Sequence, residues 1–151
     1  MSLTFSMGKH EAQFPTDRVY CWNHMWRKSE GGRFRFGLSA YAVRLLQDVY
    51  FLDWAFETPA AFKRGDEIGS IESSKALSAL FAPMDGNIVS FNEDLLDDPS
   101  TINADTYNDG WLFEMEGETG KAMSPENYLK FLDQAWDKAQ KTLKKQLLTE
   151  N

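Results

Sequence analysis

Few side chains in this sequence have the type and setting for chemistry. Lys75 is the most informative. It lies in Gly69-Ser70-Ile71-Glu72-Ser73-Ser74-Lys75-Ala76-Leu77-Ser78-Ala79-Leu80-Phe81-Ala82-Pro83-Met84-Asp85-Gly86, between two strand-like runs and flanked by Ser73, Ser74 and Ala76. Small neighbours at a hairpin tip leave a lysine reachable, and an enzyme that acylates an ε-amine needs that access. Such lysines are also common on turns that are never modified. Cys21 is the one cysteine, so no intramolecular disulfide can form, which favours a reducing compartment. Its neighbours Tyr20 and Trp22 mark it as an inert hydrophobe in a packed strand rather than a nucleophile. His10 and His24 have no metal-ligand spacing with each other or with Cys21. No nucleophile, base and orienting group converge, so no catalytic residue and no metal site are expected.

The elements around Lys75 can be read from pattern. Glu67–Ser73 and Leu77–Phe81 read as the two strands of its hairpin. Pro83-Met84-Asp85-Gly86 is turn chemistry, and Asn87–Phe91 is the next strand. Upstream, Tyr20–Trp26 reads as an aromatic-rich strand, Glu30-Gly31-Gly32 as a turn, and Arg33–Phe36 as a half-exposed strand. Ser39 is a candidate N-cap, followed by Ala42, Leu45, Leu46 and Val49 at helical spacing. Tyr50–Phe56 is strand-like, residues 92–110 read as a long loop with one helical turn, and Trp111–Glu116 as a closing strand. Ser124-Pro125 starts a helix over 124–148 whose stripe is Tyr128, Leu132, Trp136, Ala139, Leu143 and Leu147. Residues 1–18 read as a loose leader, and 19–151 as a single domain. The pattern predicts a mainly β fold with a short helix on the N-terminal side and an amphipathic C-terminal helix.

Composition narrows the function. The chain has 151 residues, 42% hydrophobic, with a net charge of −7. That charge argues against nucleic acid as a partner. No apolar run is long enough to span a bilayer, and the first residues lack a secretory h-region.

The segment around Lys75 resembles the lipoyl-attachment motif of glycine cleavage H proteins. In that family a Glu-Ser-x-Lys-Ala core is followed by Ser and then Ala-Pro-x-x-Gly. Glu72, Ser73, Lys75, Ala76, Ser78, Ala82, Pro83 and Gly86 stand at those places. A biotin carrier would show Met on both sides of the lysine, where Ser74 and Ala76 stand. The resemblance runs over roughly residues 20–132. It includes His24 with Trp26, Gly37-Leu38, Tyr41-Ala42, Asp48-Val49, Asn92-Glu93, Asp98-Pro99, Ile102-Asn103, Tyr107 and Gly110-Trp111-Leu112, and residues 124–132 resemble the closing helix.

The resemblance implies a lipoyl-domain-like barrel-sandwich hybrid. It implies covalent lipoic acid on Lys75, with Glu72, Ser73 and Ala76 as flanking recognition residues. The implied role is non-catalytic: a swinging arm carries an aminomethyl group from a pyridoxal-phosphate glycine decarboxylase to an aminomethyltransferase. Dihydrolipoyl dehydrogenase and a lipoate-attaching enzyme are the other implied partners. A bacterial cytoplasm is the expected location, with the mitochondrial matrix second.

Some places depart from the family. Met25 stands where the family usually has Glu, Ala79 where it often has Asp, and Ala40 where it has an acid. In the family such carboxylates lie near the cleft where the loaded arm docks, and a carboxylate there stabilises a protonated amine. Their loss leaves open a lipoyl carrier serving another pathway, as a lipoyl relay or in sulfur oxidation, or a scaffold without lipoate. Gln47 replaces a Gly. Trp54 and Phe62 are extra aromatics in a divergent 52–64 segment, as core filling or as a partner patch.

Overall fold

The computed structural model describes residues 1–118 and 120–149, and for 142–149 the helical backbone only. The order of elements is β1 (Ser2–Met7), β2 (His10–Pro15), β3 (Val19–Tyr20), β4 (Met25–Glu30), β5 (Arg33–Leu38), α1 (Ala40–Leu46), β6 (Val49–Trp54), β7 (Ala60–Phe62), β8 (Glu67–Ser73), β9 (Leu77–Phe81), β10 (Gly86–Phe91), α2 (Asp94–Asp97), α3 (Thr101–Ala104), β11 (Phe113–Glu116) and α4 (Pro125–Thr149). The fold is mainly β, with the short helix and the C-terminal helix where the pattern put them.

Two sheets enclose the first core. A six-stranded sheet runs β3-β4-β5-β11-β10-β7, and a three-stranded sheet runs β6-β8-β9. Alternation drives this, because one side of each strand is apolar. Phe36, Leu38, Ile88, Phe113 and Met115 from the larger sheet meet Val49, Leu52, Ile68, Ile71 and Leu80 from the smaller. This is the expected barrel-sandwich arrangement. Glycine permits its closest approaches. A Cβ on Gly69 would lie 2.3 Å from the Asp53 carbonyl oxygen, and one on Gly37 would lie 2.5 Å from the Trp26 indole.

A second core corrects the reading of residues 1–18 as a loose leader. β1 and β2 pair antiparallel from Ser2↔Pro15 to Met7↔His10. Phe5, Met7, Ala12 and Phe14 line one face and are buried against Tyr20, Trp26, Tyr41, Tyr128 and Leu132. The period of two was present in the sequence, but in runs short enough for Lys9, His10 and Glu11 to mask it. Gly8, at φ 66°, supplies the turn.

Other boundaries also shift. Tyr20–Trp26 is not one strand. The chain turns between β3 and β4, with Cys21 N–H donating to the Met25 carbonyl and His24 at φ 65°. Ser39 does cap α1, accepting from Ala42 N–H at 3.4 Å, but the helix ends at Leu46. Leu45 faces solvent and Val49 opens β6, so the four-residue stripe read there does not exist as one face. The 92–110 loop holds two helical turns, α2 and α3, rather than one. Ser124 caps α4 through Asn127 N–H, and Tyr128 and Leu132 are buried against the hairpin. The side chains of Leu143 and Leu147 lie outside the described residues. Trp54 and Phe62 fill the edge of the first core: Trp54 stacks on Phe91 at 4.7 Å, and Phe56 meets Phe62 at 4.5 Å.

Candidate functional site

Lys75 stands at the tip of the β8–β9 hairpin. The four residues Ser73-Ser74-Lys75-Ala76 turn the chain, and every backbone N–H among them has a partner. Ser73 N–H donates to the Ala76 carbonyl at 2.9 Å, and Ser74 N–H to the Asp48 carbonyl at 2.9 Å. The N–H groups of Lys75 and Ala76 both donate to Ser73 Oγ at 3.2 Å. That hydroxyl in turn donates to the Ala76 carbonyl at 3.2 Å. A serine hydroxyl has one donor and two acceptor sites, and here all three are used. Ser73 is buried beneath the turn, whereas Lys75, Ser74, Ala76 and Glu72 are exposed.

The tip is also held from the side. Asp48 N–H donates to Ser74 Oγ at 3.2 Å, completing a two-way bond between the hairpin and the α1–β6 corner. The corner is held in turn by Asn103 of α3. Its side-chain amide donates to the Gln47 carbonyl at 2.6 Å, and its oxygen accepts from Val49 N–H at 3.0 Å. Gln47 sits at φ 60° and ψ −134°, a backbone region that glycine adopts more readily. Each of these clamps has a main-chain group on at least one side and joins residues 26 to 56 positions apart, so no local pattern announces them.

Among the described residues, no hydrogen bond or ion pair involves the Lys75 side chain. An exposed, unpaired amine on a fixed stem is what covalent attachment of an arm requires. The structure therefore brings Lys75, Ser73 and Ala76 together in one turn, with Glu72 just below it on the outer face of β8.

Beside the upper part of this hairpin, from the second pair below the turn, is a hollow of about 170 Å³, with Asn23, His24, Leu46, Ile71, Ser78 and Ala79 on its wall. No carboxylate lines it. Of the three places where the family carries an acid, only Ala79 reaches this hollow. Met25 is buried in the first core opposite Leu38, and Ala40 starts α1. His24 Nδ1 lies 2.8 Å from the Tyr128 hydroxyl, which lies 2.8 Å from Ser39 Oγ. Burial lowers the His24 pKa to about 4, so the imidazole is neutral at physiological pH. Burial also pushes the Cys21 thiol up to about 11, which removes it as a nucleophile. The described residues include no group of three or more His, Cys, Asp or Glu that could hold a metal ion. No described helix is long and apolar enough to cross a membrane.

A family model described as glycine cleavage H-protein matches residues 18–145. The chain is 41% identical over 108 residues to the glycine cleavage system H protein of Pseudoalteromonas atlantica, covering 71% of this chain and 83% of that one. It is 36% identical over 123 residues to the protein of the same name from Listeria innocua, covering 79% and 98%. The crystal structure of a glycine cleavage system H protein from Mycobacterium marinum matches with a TM-score of 0.72 at 32% identity. That match covers 80% of this chain and 99% of the other.

Proposed function

The chain belongs to the glycine cleavage H-protein family, and from that premise we propose that it is a lipoyl carrier whose arm is attached at Lys75. The observation that carries the assignment is the exposed, unpaired ε-amine on a turn whose four backbone N–H groups are all satisfied. Lipoic acid joined to Nζ through an amide supplies a disulfide that can be reduced and a sulfur that can carry a group.

The protein's part is mechanical. Ser73 and Asp48 hold the stem, so the reach of the arm is set by the lysine and lipoyl chain rather than by a loose loop. Tethering then keeps the cargo at high effective concentration among successive partners. Those partners are a pyridoxal-phosphate glycine decarboxylase, an aminomethyltransferase and dihydrolipoyl dehydrogenase, with a lipoate-attaching enzyme acting first. The cargo is an aminomethyl group. Glu72, Ser73 and Ala76 flank the lysine: Ser73 and Ala76 give the turn its shape, and Glu72 offers a charge to a partner. The chain contributes no catalytic residue of its own, and we place it in a bacterial cytoplasm.

The test is intact mass with peptide mapping after incubation with a lipoate–protein ligase, lipoate and ATP. One lipoyl adduct on Lys75 is expected, with none on Lys75→Arg and no change in unfolding midpoint for that variant. A folded wild-type protein that stays unmodified beside a modified control H protein would overturn the proposal.

A further inference from the structure

The outer face of the three-stranded sheet differs from the rest of the surface. Seven large hydrophobic side chains stand exposed among the described residues, and four of them, Tyr50, Phe51, Leu77 and Phe81, belong to β6 and β9. Single exposed hydrophobics are ordinary, but a concentration on one small sheet is not. Phe51 is 66% exposed and Leu77 is 74% exposed. Both are in register with Glu72, which stands between them on the central strand. Directly opposed residues of antiparallel strands lie about 5 Å apart. The three side chains thus form one row, hydrophobic, acidic, hydrophobic, about 10 Å across. A break in register between Val49 and Phe51 leaves Tyr50 outward as well. The three strands carry Asp53, Glu67 and Glu72 and no Lys or Arg.

Lys75 identifies the occupant. An enzyme that acylates Nζ must close around that amine, and an ordinary protein interface covers about 800 Å² per partner, a disc of radius about 16 Å. Leu77 is two residues from Lys75, Glu72 is three, and Phe51 is one strand further. The whole row falls inside that footprint. We propose that the enzyme attaching the arm to Lys75 docks on this row, setting apolar side chains over Phe51 and Leu77 and a cationic side chain over Glu72. The inference rests on Lys75 being the modified residue. The docked step is ordinary acyl transfer: the free-amine form of Nζ attacks the acyl carbon of lipoyl adenylate. The C–N bond forms as the bond to phosphate breaks, AMP leaves, and one proton passes to solvent.

The experiment measures kcat and KM for lipoylation by a lipoate–protein ligase, with lipoate and ATP saturating and the carrier varied. The substrates are wild type, Leu77→Ser, Phe51→Ser with Leu77→Ser, and Glu72→Gln. The double variant is expected to raise KM about tenfold with kcat little changed, as for loss of apolar anchors at the centre of an interface. The wild-type KM should rise with ionic strength, and Glu72→Gln should flatten that dependence. Acetylation of Lys75 by a small activated ester, and the urea midpoint, should be unchanged, since these side chains point to solvent. Should the double variant fail to fold, Leu77→Ser alone decides. A wild type that is never lipoylated overturns the Lys75 assignment itself. A wild type that is lipoylated, with variants of equal KM and equal salt dependence, leaves that assignment standing and overturns the docking row.

Discussion

Ser73 has a demanding role beside Lys75, because one hydroxyl satisfies two backbone N–H groups and one carbonyl of the turn. Ser73→Ala leaves the N–H groups of Lys75 and Ala76 without their acceptor. The tip is open enough for water to replace part of what is lost, so the expected loss of stability in urea is about 1 kcal/mol. The sharper readout is hydrogen exchange. The amides of Lys75 and Ala76 should exchange faster in the variant while those of β8 below Glu72 do not change. Unaltered exchange at the tip would mean that the serine does not hold the turn. Lys75 and its neighbours were legible in the sequence because turn chemistry and small side chains are local signals. The clamp from Asp48 and Asn103 was not, because it ties main-chain groups of the α1–β6 corner to Ser74 and to the Asn103 side chain across the fold and leaves no spacing to read. Gln47 shows the same limit: its positive φ is held by Asn103, and nothing in its side chain foretells it.

Between elements, the hairpin β1–β2 is the piece that pattern alone undervalued. Phe14 is fully buried, edge-on to Tyr20 at 5.9 Å and to Tyr128 at 5.6 Å. Phe14→Ala would open a cavity between strand, hairpin and α4 at an expected cost of about 3–5 kcal/mol. The lost stability should appear in urea unfolding, while lipoylation of the folded fraction keeps its wild-type kcat/KM. That separation follows from the two cores: Phe14 belongs to the second, whereas β8 and β9 rest on the first. If lipoylation fell in parallel, the β1–β2 hairpin would be coupled to the Lys75 turn. The strands around Lys75 were readable because two β-type runs flank a turn of small residues and a Pro-x-x-Gly turn follows, although bulges break the alternation of β8 between Glu67 and Gly69 and of β10 between Ile88 and Ser90. α1 was read one turn too long because Val49 happens to continue its spacing, and the geometry of the following strand, not propensity, decides where Val49 points. The 92–110 segment hides two single turns of helix, too short for any periodic signal.

At the scale of the whole molecule, one place where the two cores meet is the His24–Tyr128 pair. His24 lines the hollow beside β9 and also bonds the Tyr128 hydroxyl of α4, with Phe131 stacked on it at 5.5 Å and Tyr41 at 4.8 Å. Burial holds its pKa near 4 against an ordinary value of 6.5. The lowered value means that the unfolded chain binds a proton over a range where the folded one does not. Stability is therefore full above about pH 6.5 and falls as pH drops toward 4, with the slope of stability against pH positive throughout that window. Tyr41 and Tyr128 face the imidazole, and burial raises both phenols, so neither titrates there. Asp17 is lowered by its bond to Arg18, and its contribution disappears only below its ordinary value of 3.8, beyond the window. Urea unfolding measured from about pH 7.5 to about pH 4.5 should show wild type losing stability steadily. His24→Asn, which keeps a polar group beside Tyr128 but cannot titrate, should start less stable and show a markedly shallower decline. Parallel curves for the two proteins would place the acid sensitivity elsewhere. A shallower variant curve would establish that one buried neutral imidazole, at the seam between the core beneath the Lys75 hairpin and the core that carries the helix, makes both depend on the same proton.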